Sequence, residues 1–516
     1  MIENAGKWYT LALLLVLVMC AAGIVLYRID NRAFLYFGDA VSRIVRSREF
    51  IDSQHPGIGN IGTVWLPLPQ LLLLPFASVN SLFYSGIAGA MVGVPCLVGT
   101  GLLLFAIIRR ITQSRSIAFL GACLFTLNPN VVYMALTPMS EPSLFFFITL
   151  GGYALLRWLE TDSMKWLVLC AVAVMLATLC RYEAWALAPF VVLASASRGI
   201  GFWTESKRLS AIRIATVTVI SFAGIAFWFI WNAAQYGDML RFIHWSTSIG
   251  ANSFNDSARH HLPVDIVTFG WAILTIFGPV LLLVAAGVFF RFRRKVVEWK
   301  QVLLLFYFGL PAIFVIVALL TGHAYIDQWW WNWRFVLTIG LFLSVAGAVG
   351  LSELFSRVRS MSIRVSVIAC LLAMPLVQIA IPSVGVATFN DAAKSLLDTT
   401  PYAIALGEQL HSIDDRSSIA LLTGYGQAQR IMISSGLPLK RFHIICNPDK
   451  RDSLESLRDS DRYIIVENDW TIKSVELVDN WFSRGGQQLR NFGVIQKDGQ
   501  YIFMGRRERF ASWKTK

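Results

Sequence analysis

The chain carries one carboxylate, Asp39, in a short segment that is otherwise basic. The arginines of this segment are Arg32, Arg43, Arg46 and Arg48. Guanidinium groups match the oxygens of an anion in pairs, so the arginines around this acid could hold an anionic ligand. A simpler interpretation also fits, because Arg43 lies one helical turn after Asp39 and could form an ion pair with it.

The composition places this segment beside a membrane. Of the 516 residues, 56% are hydrophobic and 15% charged, and the mean hydropathy is +0.58. A soluble protein of this length needs more surface charge. The net charge of +13 could suggest nucleic-acid binding, but the basic residues lie mostly in short loops between apolar runs, as topology signals do. Six of the seven cysteines lie in or beside apolar runs, so no disulfide framework is predicted. We expect a polytopic membrane protein.

Apolar runs predict about eleven transmembrane helices, since one crossing takes about 20 residues. They are 8–27, 84–108, 117–136, 143–158, 166–180, 184–197, 213–235, 264–290, 301–322, 335–352 and 365–387. The first run lacks a small-residue cleavage site, so we interpret it as a retained helix rather than a signal peptide. Pro67, Pro69 and Pro75 favour a re-entrant or interfacial segment over a crossing at 65–76.

Basic loops predict the orientation, because cytoplasmic loops are rich in Lys and Arg. One side carries Arg109, Arg110, Arg115, Arg157, Lys165, Lys207, Arg208, Arg213, the run 291–295, Arg357, Arg359 and Arg364. This side is predicted to be cytoplasmic, together with the N-terminus. The arginines of the first loop then lie outside, against the rule. They could bind a specific anion or simply phospholipid headgroups.

With this orientation the polar groups collect on the outer face. They are Asp39, His55, and the segments 137–142, 181–185, 237–262 and 323–334. Acids at membrane depth are costly, so several of them on one side suggest a site.

The composition changes near residue 388. Short runs typical of strands, at 418–424, 441–446, 462–467 and 500–505, alternate with helix-like stretches at 402–413 and 472–484. This alternation predicts an α/β domain at 388–516, on the extracytoplasmic side. Residues 1–387 form the predicted transmembrane module, whose first extracytoplasmic loop is 28–65.

The ordered set of motifs resembles the GT-C superfamily of membrane glycosyltransferases. It consists of Asp39 beyond the first span, a Pro-rich apolar segment, the "SEP" at 140–142, the "RYEAW" at 181–185, and Arg334 after an aromatic loop. The branch resembled contains the protein O-mannosyltransferases and the lipid A aminoarabinose transferase. Where the lipid A branch has a Lys-Pro-Pro element, this chain reads "TVWLPLP" at 63–69. The resemblance implies a GT-C-like helical fold and sugar transfer from a polyprenyl-phosphate donor to a protein, lipid or glycan hydroxyl outside the cytoplasm.

The same resemblance implies roles for the charged residues. Asp39 would be the catalytic carboxylate, and Glu141 would orient the acceptor or join Asp39 on a divalent ion. Arg181 and Arg334 would bind the donor phosphate, with Arg43 as a weaker candidate. Each has a structural alternative: Glu141 suits a helix start, and Arg334 could stack on the neighbouring tryptophans.

Other outer-face residues are candidates to line the substrate site. They are His55, Trp65, Tyr182, Glu183, His323 and Tyr325. The aromatic residues could instead form an interfacial belt, and Glu183 could pair with Arg181. The histidine spacing matches no zinc signature, so we predict no metal ligands and no firm cofactor. Membrane lipids are the other expected partners, and nucleic acid is not.

A transporter or flippase for a lipid-linked sugar is the main alternative function. It would require charges within the spans and a path open to both sides. Because the polar groups lie on one face, the sequence favours an enzyme that acts there.

The orientation is directly testable. We expect alkaline phosphatase fused after Lys516 to be active, because that enzyme folds only outside the cytoplasm, and the same reporter inserted after Gln113 to be inactive. Measuring both fusions in intact cells checks the prediction. The opposite pattern would invert the membrane orientation.

Overall fold

The computed structural model describes most of the chain. The described residues are 2–60, 62, 64–197, 207–244, 262–294, 298–324, 326, 330, 332–381, 386–399, 401–411, 417–423, 425–444, 461–467, 492–497 and 501–506. They form two compact units. We name them the helical unit (Met1–Phe34, Gly62–Leu73 and Ile87–Ala392) and the mixed unit (Leu35–Ile61, Leu74–Gly86 and Ala393–Lys516).

Helices dominate the described chain. Up to the end of the last long apolar helix they are α1 Ile2–Ile29, α2 Gly38–Glu49, α3 Leu68–Ala77, α4 Asn80–Ser85, α5 Ala88–Thr112, α6 Arg115–Thr126, α7 Pro129–Leu136, α8 Glu141–Thr161, α9 Met164–Thr178, α10 Leu187–Ser197, α11 Lys207–Tyr236, α12 Leu262–Arg294, α13 Trp299–Leu320, α14 Ile339–Arg357 and α15 Met361–Ala380. Short 3-10 helices at Tyr182–Ala186 and Trp333–Thr338 lead into α10 and α14.

The predicted helical membrane fold is confirmed, and each predicted span falls on a helix. In the part of the chain that the structure describes, eight helices are long and apolar enough to cross a membrane. A ninth is the pair α6 and α7, which bends by 62°. The remaining two predicted spans fall on α9 and α10, of 15 and 11 residues. Helix α3 has 10 residues, too few to cross a bilayer, in keeping with the prolines of 65–76.

The helix that follows Arg334 forms the centre of the helical unit. In the apolar span Trp333–Arg357, 78% of the most apolar 18-residue stretch is buried within the protein, against 17% for the span in α1. A glycine contact brings this helix close to α12: a Cβ on Gly350 would lie 1.8 Å from the carbonyl oxygen of Leu283. Small residues allow such close backbone approach.

A proline in α12 leaves a backbone carbonyl that another helix binds. Pro279 has no N–H, so the carbonyl of Thr275 loses its usual helical donor. Gln378 on α15 replaces it, because its Nε2 donates to the carbonyl oxygens of Thr275 at 3.1 Å and Ile276 at 2.9 Å. Asn128, which caps α7, also donates to the carbonyl of Ile276. Side chains from α15 and from the start of α7 therefore bind α12 next to this proline.

The mixed unit contains the α/β fold that the sequence predicts. Its helices α16 Ala387–Thr399 (which begins in the helical unit), α17 Pro401–Leu410 and α18 Tyr425–Ser435 accompany strands β1 Ser418–Leu422, β2 Phe442–Ile444, β3 Asp461–Glu467, β4 Phe492–Lys497 and β5 Tyr501–Arg506. The sheet order is β2-β1-β3-β5-β4, parallel from β2 to β3 and antiparallel from β3 to β4. The predicted helix at 472–484 lies outside the described residues.

Residues 35–61 of the first loop belong to the same compact unit as the C-terminal sheet. Helices α2 and α4, at 38–49 and 80–85, group with residues 393–516 rather than with the transmembrane helices. The side chain of Ser42 donates to Gln429, and Tyr84 Oη donates to the carbonyl of Leu437 at 2.9 Å. The last division of the chain between the two units falls after Ala392. The predicted domain boundary at 387/388 stays a prediction.

The glycine contact between α12 and α14 gives a stability prediction. We expect Gly350→Ala to lower the thermal unfolding midpoint in detergent, at a cost of about 1–3 kcal/mol, because the new methyl group would overlap a backbone carbonyl. Gly278→Ala on α12 is the matched control, since a Cβ there meets nothing within 4 Å. Equal midpoints for the two variants would contradict the close packing.

Candidate functional site

Three helix ends of the helical unit bring charged residues together. Glu141 is the first residue of α8, Arg181 follows α9, and Arg334 precedes α14. Arg181 Nη1 is 2.8 Å from Glu141 Oε1, and Arg334 Nε is 3.9 Å from the same oxygen. Arg181 Nε is 2.7 Å from Glu183 Oε1. We call these four residues the charge cluster.

Local sequence explains how the chain places these groups. Acids are favoured in the first turn of a helix, and Pro142 suits the start of α8 because its missing N–H needs no partner there. Arg181 has an extended backbone, with φ −155° and ψ 152°, between α9 and the 3-10 helix that carries Glu183. This break in the helix turns the arginine toward both carboxylates.

The cluster is buried and balanced in charge. Glu141 is 1% exposed, and the side chains of Arg181 and Arg334 are each 11% exposed. Burial alone would lower the pKa of Arg181, but Glu141 and Glu183 outweigh this effect, so the pKa is raised and the guanidinium stays charged. Both guanidinium carbons lie 5.6 Å from the Phe335 ring centroid, within reach of a cation–π contact.

Tyr182 serves as a structural anchor beside the cluster. Its hydroxyl donates to the carbonyl of Val64 at 2.7 Å and accepts a hydrogen bond from Trp228 Nε1 at 3.2 Å. Its ring stacks on Phe242 with centroids 5.3 Å apart. These contacts hold the segment that contains the half-buried Trp65. The proposed substrate-lining roles of Tyr182 and Trp65 stay predictions.

Asp39 lies in the mixed unit, in the first turn of α2, and is half-buried. Arg43, one turn further on, is 3% exposed. His55 is exposed, and its carbonyl accepts a hydrogen bond from Asn60 at 2.8 Å. The predicted roles of these three residues stay predictions.

Part of the arginine patch is engaged within the protein. Arg48 donates to the carbonyls of Ala77 at 2.8 Å and Ser78 at 2.6 Å. Arg46 Nη1 lies 3.0 Å from Glu49 Oε2. Burial raises the pKa of Glu49, although Arg46 opposes the shift. At least these two arginines therefore have a structural role, whatever anion the patch meets.

The structure says less about the last two candidates to line the substrate site, His323 and Tyr325. His323 is exposed, and its Nδ1 lies 3.0 Å from Thr321 Oγ1. Tyr325 lies outside the described residues. In the ranges that the structure describes, no group of three His, Cys, Asp or Glu side chains is placed to hold a metal ion.

Comparison with solved structures identifies the fold of the chain. By sequence, no family model and no curated protein matches the chain. By structure, it is similar to ArnT from Cupriavidus metallidurans in the apo state, with 13% identity, a TM-score of 0.57, and coverage of 97% of this chain and 98% of that one. The chain has the GT-C fold.

Lower-scoring similarities involve an archaeal enzyme. The Archaeoglobus fulgidus oligosaccharyltransferase in the apo form has 12% identity and a TM-score of 0.49, over 92% of this chain and 71% of that one. The same protein, AglB, in complex with an inhibitory peptide and a dolichol-phosphate, has 12% identity and a TM-score of 0.47, over 96% and 74%. The likeness to ArnT runs over almost the full length of both chains and is the basis for the GT-C assignment of the fold.

Within this GT-C fold, sequence reasoning missed several supports of the cluster. Arg334 Nη2 donates to Asn332 Oδ1 at 3.3 Å, and the backbone N–H of Asn332 donates to Asp391 Oδ2 at 3.3 Å. Asn332 has a left-handed backbone, φ 61°, which asparagine adopts more readily than most residues. An asparagine two residues before Arg334 was therefore a usable signal, whereas Asp391 offered none.

A buried glutamate between two arginines predicts a large stability effect. We expect Glu141→Gln to lower the free energy of unfolding by about 3 kcal/mol, because buried arginines lose a charged partner. Glu160 at the other end of α8 is a matched control, since it also bridges two arginines, Arg110 and Arg157, but is 27% exposed. Glu160→Gln should cost only about 0–1 kcal/mol. Equal losses for the two variants in an SDS unfolding titration would contradict the burial argument.

Proposed function

We propose that this protein is a membrane glycosyltransferase that moves a sugar from a polyprenyl-phosphate donor to an acceptor hydroxyl on the extracytoplasmic face. The observation that carries the proposal is the pair of buried arginines, Arg181 and Arg334, at one end of a helical bundle with the GT-C fold. The phosphate of a lipid donor is anionic, and guanidinium groups bind phosphate oxygens in pairs. The similarity to ArnT, itself a GT-C glycosyltransferase, supports the reaction class.

The two proposed phosphate ligands differ in their distance from Glu141. Arg181 already donates to Glu141 at 2.8 Å and Glu183 at 2.7 Å. The 3.9 Å between Arg334 Nε and Glu141 Oε1 is longer than a hydrogen bond, so a phosphate oxygen could make a shorter, charge-assisted contact there. Arg181 would add positive charge beside it and hold Glu141 in place.

The transfer itself needs a base. In the proposed reaction the acceptor hydroxyl gives its proton to Asp39, and its oxygen forms a bond with the anomeric carbon of the sugar. The bond between that carbon and the phosphate oxygen breaks, and the arginines stabilise the charge of the departing polyprenyl phosphate. Glu141 would orient the acceptor. Its carboxylate is held in one position because moving away would break the ion pair with Arg181.

Replacing the arginines tests the phosphate assignment. We expect Arg334→Lys to weaken donor binding by about 1–3 kcal/mol, because lysine keeps the charge and loses the paired hydrogen bonds. Arg181→Lys should weaken binding too, with added instability because Arg181 also binds two glutamates. The measurement is donor affinity in detergent by titration calorimetry.

Arg157→Lys is the control for these two variants. Arg157 is also an arginine that pairs with a glutamate, but it lies toward the other end of α8 from Glu141. Its substitution should leave donor affinity unchanged. Unchanged affinity in both Arg334→Lys and Arg181→Lys would favour a structural role for the two residues.

Replacing Asp39 tests the proposed chemistry. We expect Asp39→Asn to slow turnover by about a hundredfold or more while donor binding is largely kept, because the shape remains and the base is lost. Asp30→Asn is the control, since Asp30 pairs with Arg32 in the same stretch of chain at 3.4 Å. Exposed pairs of this kind contribute about 0–1 kcal/mol, so turnover should persist. Turnover of Asp39→Asn within about threefold of wild type would exclude the catalytic role.

A further inference from the structure

Helix α18 of the C-terminal α/β region binds the backbone just before α2. Arg430 Nη1 donates to the carbonyl oxygen of Leu35 at 2.7 Å, and its Nη2 donates to that of Tyr36 at 2.6 Å. One planar guanidinium therefore holds two consecutive peptide groups, a geometry that its fixed fork suits. Arg430 is 3% exposed, so water does not compete strongly for these bonds.

The two carbonyls have a defined need for this donor. They lie just before α2, which begins at Gly38. Leu35 and Tyr36 are buried, and buried backbone carbonyls must find donors. Arg430 thus fixes the direction in which the chain enters α2.

A second contact holds α2 beyond its first turn. Ser42 Oγ donates to Gln429 Oε1, and both side chains are buried. Asp39 lies between the two contacts: Leu35 and Tyr36 precede it, and Ser42 follows it by about one helical turn. Adjacent residues of α18 therefore fix the backbone on both sides of this carboxylate.

We propose that Arg430 and Gln429 are positioning residues for Asp39, so that the C-terminal α/β region takes part in transfer. This inference rests on the proposed function, in which Asp39 is the base. Arg430 and Gln429 act through the backbone of α2 and touch no substrate.

The mixed unit also contains hydrogen bonds that can serve as a control, because they lie away from Asp39 in the sequence. Tyr84 Oη donates to the carbonyl of Leu437, and Asp52 accepts hydrogen bonds from the backbone N–H groups of Leu439 and Lys440. These bonds also join Asp52 and Tyr84 to the C-terminal region, but none involves the residues next to Asp39. Tyr84→Phe removes one of them with little change in shape.

The test compares full-length variants for rate, donor affinity and stability. We expect Arg430→Met to lower the single-turnover rate constant by about a hundredfold, because misplacing a catalytic group by about 1 Å has an effect of this size. The donor Kd should stay within about twofold of wild type, since the change affects an oriented step and not ground-state binding. Arg430→Lys should give an intermediate rate, because an ammonium can donate to these carbonyls without matching both. Ser42→Ala should lower the rate and keep the donor Kd.

Tyr84→Phe should lower the unfolding midpoint and leave the single-turnover rate unchanged. A rate for Arg430→Met within about threefold of wild type would overturn the inference, as would an equal loss of rate in Tyr84→Phe. If Arg430→Met does not fold, Ser42→Ala decides, and an unchanged rate in that variant overturns the inference. A wild-type protein that transfers no sugar would instead overturn the proposed function, which separates the two failures.

Discussion

Paired burial of charge is the constraint on which the helical unit depends. Glu141, Arg181 and Arg334 come from three different helix ends, and each would be costly if it were buried alone. Because Arg181 is bound by two glutamates and Glu141 lies near two arginines, the ends of α8, α9 and α14 must meet in one arrangement. In this arrangement Arg334 Nε lies 3.9 Å from Glu141 Oε1, and Arg181 Nη1 lies 2.8 Å from the same oxygen.

Much of this cluster was visible in the sequence. Orientation from the basic loops placed Glu141, Arg181 and Arg334 on one face, and the structure brings these ends into contact. The alternative that Glu183 pairs with Arg181 is confirmed at 2.7 Å. The apolar runs predicted every long helix because a bilayer demands a minimum apolar length, a constraint that sequence expresses directly. The runs at 166–180 and 184–197 are already short in the sequence. In the structure α9 has 15 residues and α10 has 11, because a 3-10 helix at Tyr182–Ala186 takes the start of the second run.

Hydrogen bonds from side chains to distant backbone carbonyls could not be predicted from the sequence. Gln378 donates to the carbonyl of Thr275, which Pro279 deprives of its helical donor, and Arg430 donates to carbonyls 395 and 394 residues away. A carbonyl carries no side-chain identity, so nothing in the sequence marks it as a partner. For this reason the predicted division of the chain separated the first loop from the C-terminal α/β domain, whereas the structure groups α2 and α4 with that domain. The strand β4 was also missed, because its run "FGVIQK" mixes polar and apolar residues without clear alternation.

Transfer of the sugar is the central claim, and lipid chemistry can test it directly. The purified protein would be reconstituted in liposomes with a panel of polyprenyl-phosphate sugars, and the lipids would be analysed by mass spectrometry. The proposed reaction predicts that sugar-free polyprenyl phosphate accumulates for at least one donor, in amounts that depend on the protein and on an added acceptor. Movement of an intact lipid-linked sugar across the bilayer, with no free polyprenyl phosphate from any donor, would contradict it and identify a transporter.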